Sequence, residues 1–144
     1  MKARLVITPH LCTGCRTCEL ACSFTHGRDG KIGQSRISPL NGGFSDIHIP
    51  VNCLQCEDPA CVKACLAGAI SFNEKTGAYE INQEICVHCL ACVAACPFGC
   101  SLVDNQLNIV VKCDLCGGDP VCAHFCPSKA LTYKQLQSKA VGPK

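Results

Sequence analysis

Sixteen of the seventeen cysteines in this 144-residue chain fall into four groups of four. They are Cys12, Cys15, Cys18 and Cys22; Cys53, Cys56, Cys61 and Cys65; Cys86, Cys89, Cys92 and Cys96; and Cys113, Cys116, Cys122 and Cys126. The first and third groups read C-x2-C-x2-C-x3-C, while the second and fourth lengthen the middle gap to four and five residues. Every group closes on C-x3-C, so its last two cysteines sit one helical turn apart. A unit repeated in this way outweighs composition as a guide to the fold.

Composition sharpens the point. The apolar share is 48%, but cysteine inflates it, and the chain has no Trp, two Tyr, five Phe and one Met. A domain of this length normally buries a broad apolar core, so a body other than large side chains is expected to fill the middle. So much cysteine also suits a secreted disulfide scaffold. Against that, the opening MKARLVITPHL has no signal-peptide apolar run or cleavage site, and there is no twin-arginine pair. The expected compartment is the cytoplasm, where dense cysteine points to metal. No run approaches the roughly 20 apolar residues of a membrane span. The net charge of +2, with scattered Lys and Arg, does not suggest nucleic acid.

Three cysteines at i, i+3 and i+6 on a wrapped loop can reach three corners of an iron–sulfur cubane while backbone N–H groups face its sulfurs. The fourth lies on the turn beyond and is aimed away; in two-cluster ferredoxins it ligates the other cluster. Zinc is the main rival, but structural zinc sites use separated C-x2-4-C pairs, whereas compact triplets with a C-x3-C tail occur here four times. Four [4Fe–4S] clusters are therefore expected to fill the core. Gly14, Gly117 and Gly118 lie in the triplet loops, where a missing Cβ lets backbone approach sulfur or simply permits a turn.

Between the groups the signals are for short strands. Ala69–Asn73 and Ala78–Ile81 flank a turn at 74–77, and Ser101–Val103 and Leu107–Val111 flank Asp104-Asn105-Gln106. Leu5–Thr8 and Ala130–Tyr133 are expected to pair, joining the chain's two ends. The long gap 23–52 reads as an inserted hairpin, with Ser35–Ser38 and Asp46–Val51 around Asn41-Gly42-Gly43. Pro97 and Pro127 follow the last cysteines of the third and fourth groups and stop their helical turns.

The stretch CRTCELACSFTHG at Cys15–Gly27, with SRI at Ser35–Ile37, NCLQCEDPACVKAC and CVHCLACVAACPFG, resembles the four-cluster ferredoxin-like subunits of anaerobic oxidoreductase complexes. These include subunits associated with aldehyde ferredoxin oxidoreductase, the dimethyl sulfoxide reductase iron–sulfur subunits, and those of carbon monoxide dehydrogenase and hydrogenase systems. The match runs from Cys12 to Pro127. It implies reciprocal ligation in two couples. In the outer couple, Cys126 completes the cluster of Cys12, Cys15 and Cys18, and Cys22 completes that of Cys113, Cys116 and Cys122. In the inner couple, Cys96 joins Cys53, Cys56 and Cys61, and Cys65 joins Cys86, Cys89 and Cys92. The implied fold is α+β and ferredoxin-like, two interleaved 2[4Fe–4S] modules with short hairpins and single helical turns around a cofactor-filled core. One domain, 1–144, then comprises an outer module (1–34 and 107–135), an inner module (50–106) and an inserted hairpin (35–50). Leu66 departs from the resemblance, standing where proline usually follows the fourth cysteine.

Cys100, the leftover cysteine, reads as a small buried hydrophobe rather than a reactive thiol. His88 and His124 lie inside groups already complete and are expected to pack near sulfur without ligating. Asp58-Pro59 and Asp119-Pro120 shape the two lengthened loops. No phosphate loop, dinucleotide fingerprint or catalytic triad is visible, so the expected role is electron transfer without catalysis. The resemblance implies a tungsten- or molybdenum-pterin oxidoreductase subunit as partner, the aldehyde oxidoreductase type being favoured. A row of clusters would have two exits, one for that partner and one for an external donor or acceptor, including a neighbouring copy that extends the wire. The alternatives are a free polyferredoxin serving several enzymes and a zinc-stabilised interaction module. Free carriers commonly use strong negative charge for steering, which this chain lacks.

Overall fold

The computed structural model describes residues 2–41 and 48–136. From the N-terminus, β1 (Lys2–Ile7) leads through a 3-10 turn at Pro9–Leu11 into α1 (Thr17–Thr25). Next come β2 (Ile37–Asn41), β3 (His48–Asn52), α2 (Ala60–Lys63), β4 (Ile70–Asn73) and β5 (Ala78–Ile81). Then α3 (Ala91–Ala95), β6 (Ser101–Asp104) and β7 (Ile109–Lys112) precede a 3-10 segment at Leu115–Gly118, α4 (Val121–His124) and β8 (Leu131–Leu136). The architecture is α+β, as expected. Its strands pair antiparallel as β1–β8, β2–β3, β4–β5 and β6–β7.

The two chain ends pair as anticipated, with Leu5 opposite Tyr133. Ala3 and Leu5 alternate with more exposed neighbours and bury one face of this ribbon. The β4–β5 hairpin turns where its sequence signals it. Asn73 Oδ1 accepts the Lys75 N–H at 3.0 Å, and Gly77 takes φ +71°. The inserted hairpin is present but shifted toward the C-terminus, with Ile37 opposite Asn52. Its expected turn glycines and Asp46 lie outside the described residues.

The β6–β7 hairpin differs in its turn. Asp104, expected in the turn, ends β6 and is buried. Its carboxylate accepts N–H groups from Gln106 and Leu107 at 3.0 Å and from Gln34 at 2.6 Å. Burial works against its charge, but these donors hold its carboxyl below the usual carboxylate range. Removing it with Asp104→Ala would leave three part-buried amides without their acceptor, at a cost of about 2 kcal/mol. The apparent melting temperature of the cluster-loaded protein is expected to fall by roughly 5–10 °C; an unchanged melting curve would contradict this role.

Helix lengths follow what comes after each fourth cysteine. α2, α3 and α4 are single turns, and a left-handed residue three positions beyond Cys65, Cys96 and Cys126 turns the chain away (Gly68, Gly99 and Lys129). At Leu66 this happens without proline, and the leucine side chain is 98% exposed. α1 has no such break and continues past Cys22 for nine residues in all. α1 lies against α4, and α2 against α3. Cysteines make up half of the larger buried cluster, alongside Ala3, Leu5, Ile37, Leu115 and Leu131.

Candidate metal centres

The backbone of each cysteine loop adopts one recurring shape. The residue before the second cysteine is left-handed in all four groups: Gly14 (φ +69°), Gln55 (+49°), His88 (+53°) and Leu115 (+55°). Reversals of this kind gather backbone N–H groups into an anion-facing concavity, which suits a sulfur-rich cluster. Only one of the four is glycine, so three side chains bear roughly 1–3 kcal/mol of local strain each. Gly14 is needed for its φ and for room, since a Cβ there would stand 2.6 Å from the His48 ring.

Three cavities bring a triplet together with the last cysteine of another group. The first, about 330 Å³, is lined by Cys12, Cys15, Cys18 and Cys126. The second, about 390 Å³, is lined by Cys53, Cys56, Cys61 and Cys96. The third, about 330 Å³, is lined by Cys86, Cys89, Cys92 and Cys65. At the remaining triplet, Cys116 and Cys122 both lie within the electrostatic reach of Cys22.

The thiol chemistry fits the same groups. Burial, then Cys22 and Cys116, push the Cys122 thiol up to about 12. Burial, then Cys126 and Cys15, push Cys18 to about 11. Cys61 is raised by burial with Cys53 and Cys96 adding, and Cys92 by burial with Cys65 and Cys86 adding. Thiols crowded like this ionise together only when bound to a cation. Donors already face the sulfurs: Ala69 N–H reaches Cys65 and Cys100 N–H reaches Cys96, both at 3.3 Å. Thr17 donates its hydroxyl to Cys15 at 3.4 Å.

Residues 45–136 match the family model described as 4Fe-4S dicluster domain, and residues 11–70 match a second model with the same description. The chain belongs to the 4Fe-4S dicluster family. The polyferredoxin-like subunit of the aliphatic sulfonate oxidoreductase of Pyrococcus furiosus is 44% identical over 85% of this chain and 70% of its own length. The B subunit of the anaerobic dimethyl sulfoxide reductase of Haemophilus influenzae is 34% identical over 87% of this chain and 70% of its own length. The B subunit of the polysulfide reductase of Wolinella succinogenes is 31% identical over 94% and 77%. Among solved structures, a chain of the active-site complex BamBC of benzoyl coenzyme A reductase with benzoyl-CoA shares the fold. It aligns at TM-score 0.53 and 23% identity, covering 92% of this chain and 78% of that one. This dicluster protein is thus an iron–sulfur electron-transfer subunit of the oxidoreductase type. Its two dicluster matches and seventeen cysteines are consistent with four [4Fe–4S] clusters. Among the described residues no helix is long and apolar enough to cross a membrane.

Several residues outside the sixteen grouped cysteines also stand around the sulfurs. Lys112 is buried, donates to the Tyr79 carbonyl at 2.8 Å and lines the cavity of Cys53, Cys56, Cys61 and Cys96. Cys100 is buried in that cavity too, its thiol pushed up to about 12 by burial and then by Cys53 and Cys96. Gln55 bridges two groups, donating to the Cys113 carbonyl at 2.8 Å and accepting the Tyr79 N–H at 2.9 Å. His124 pairs with Asp119 at 2.5 Å, on the exposed side of α4. His26, which the sequence did not single out, places Nε2 at 3.6 Å from the Cys116 sulfur.

Proposed function

We propose that the chain relays electrons between a catalytic oxidoreductase subunit, of the tungsten- or molybdenum-pterin aldehyde oxidoreductase type, and an external donor or acceptor. The observation that carries the reading is the joining of triplets to fourth cysteines from other groups around three cavities. In this reading each bound [4Fe–4S] cluster stores a single electron. The outer module (1–34 and 107–135) supplies Cys12, Cys15, Cys18 with Cys126, and Cys113, Cys116, Cys122 with Cys22. The inner module (50–106) supplies Cys53, Cys56, Cys61 with Cys96, and Cys86, Cys89, Cys92 with Cys65. The inserted hairpin (35–50) is assigned to neither module, and its strands Ile37–Asn41 and His48–Asn52 pack beside the outer one.

Two features support exits at different ends. Cys15 and Cys89 are exposed while most ligating cysteines are covered, and exposed apolar residues lie beside each, Leu20 in one case and Val87 and Leu90 in the other. Such rims suit a partner that excludes water, whether the catalytic subunit or a second copy. The pterin partner rests on the resemblance alone, while kinship with a polyferredoxin-like subunit of an aliphatic sulfonate oxidoreductase supports an oxidoreductase partner. A cytoplasmic site accords with so many thiols.

Anaerobic preparations are expected to contain about sixteen iron and sixteen acid-labile sulfide per chain, four for each cysteine group. Stoichiometric zinc, or about eight iron after full reconstitution, would refute the reading. Identifying the chain that co-purifies under anaerobic conditions tests the partner; a protein that runs alone in native extract would instead support a free polyferredoxin.

A further inference from the structure

The gap 23–52 separates the first and second cysteine groups, and part of it folds back onto the sulfurs of Cys22 and Cys116. After Cys65 and Cys96 the amide reaching the sulfur comes from four residues on. Cys22 cannot receive one that way, because α1 continues past it. Its donor is the Arg36 N–H at 3.3 Å, fourteen residues later. Two glycines let the intervening loop close. A Cβ at Gly27 would stand 2.4 Å from the Lys31 carbonyl oxygen, and one at Gly33 would stand 2.6 Å from that of His26.

This loop sets the half-buried His26 ring against Cys116, ninety residues away in sequence. Nε2 lies 3.6 Å from the Cys116 sulfur and 3.7 Å from Asp114 Oδ1. Asp114 is itself held, accepting from Arg36 Nη1 at 2.5 Å and donating nothing, while its Oδ1 takes the Cys116 N–H at 3.0 Å. A ring nitrogen facing a thiolate and a carboxylate is stable there only when it carries hydrogen. The geometry therefore makes Nε2–H a donor to the ligand sulfur.

We propose that His26 raises the reduction potential of the cluster held by Cys22, Cys113, Cys116 and Cys122, acting through the Cys116 sulfur as a positioning residue. The inference rests on the ligand set proposed above. Reduction adds negative charge to the cluster and its sulfurs, so a donor to sulfur stabilises the reduced form more than the oxidised one. The loop thereby gives this cluster an imidazole donor from outside its own cysteine groups.

The test is an anaerobic redox titration of the full cluster-loaded chain, followed by electron paramagnetic resonance. In His26→Leu one potential is expected to fall, with an about tenfold lower reduced-to-oxidised ratio at the wild-type midpoint, the scale of one hydrogen bond to a charged group. The other three should hold, iron content should be unchanged, and His26→Gln should recover part of the shift through its amide N–H. The potential that moves should be the one that Cys22→Ser perturbs. Four unmoved potentials at full iron content would overturn the inference, as would movement of a different cluster. If His26→Leu loses iron, native protein labelled with ¹⁵N-histidine decides. Nitrogen coupling to the Cys22-sensitive cluster that vanishes in His26→Gln supports the inference, and its absence overturns it. Failure of the ligand set itself is told apart by low iron in the wild-type protein.

Discussion

Chelating and oxidising the iron away is expected to collapse the far-ultraviolet circular dichroism of this chain to that of an unfolded polypeptide. α2, α3 and α4 span only four or five residues each, far below the length at which isolated helices persist. Among the described residues every sheet is a two-stranded ribbon, itself marginal in water. What joins these pieces is a core whose buried members are largely cysteines, among them Cys18, Cys22, Cys53, Cys113, Cys122 and Cys126. Structural metal in small domains contributes about 10–16 kcal/mol, comparable to the whole stability of roughly 5–15 kcal/mol available to a domain. The apo chain should therefore be almost wholly unfolded, and should regain its spectrum on anaerobic reconstitution with iron and sulfide. An iron-free chain with an unchanged spectrum would show that protein contacts alone hold the fold.

The second large effect concerns which cluster a single cysteine serves. Cys22→Ser is expected to alter the cluster of Cys113, Cys116 and Cys122, leaving that of Cys12, Cys15 and Cys18 intact. The grounds are the electrostatic proximity of Cys22 to Cys116 and Cys122, and the packing of α1 on α4. About a quarter of the cluster signal should change, one of four. Its spectrum should lose the features lost in Cys116→Ser and keep those lost in Cys15→Ser. The opposite pattern would overturn the interleaved ligand set.

Both expectations grow from features readable in the chain itself. The cysteine groups, the C-x3-C tails and the pairing of the two ends were legible because each depends on short-range geometry or on apolar alternation. The turn at 74–77 was legible for the same reason, its Asn73 cap and Gly77 being local. Where the reading drifted, a side chain intervened. Asp104 looked like a turn residue, yet its carboxylate gathers amides from its own hairpin and from distant Gln34, and this keeps it in the strand. The left-handed positions before each second cysteine were visible only at Gly14. Gln55, His88 and Leu115 give no glycine signal for the same bend, because the loop imposes it against their preference.

That this chain is built around iron–sulfur clusters follows from its residues alone, since ligand spacing is a local property that no packing can rearrange. What stands around each group of sulfurs is a matter of how the chain packs. Lys112, one of the scattered cations of the sequence, is buried beside one cavity. His26, which no motif marks, meets Cys116 across ninety residues of chain. These placements depend on how distant segments meet, where glycines let a loop double back, and where burying a charge becomes tolerable beside sulfur. Such balances are set by long-range contacts, and no local pattern of residues encodes them.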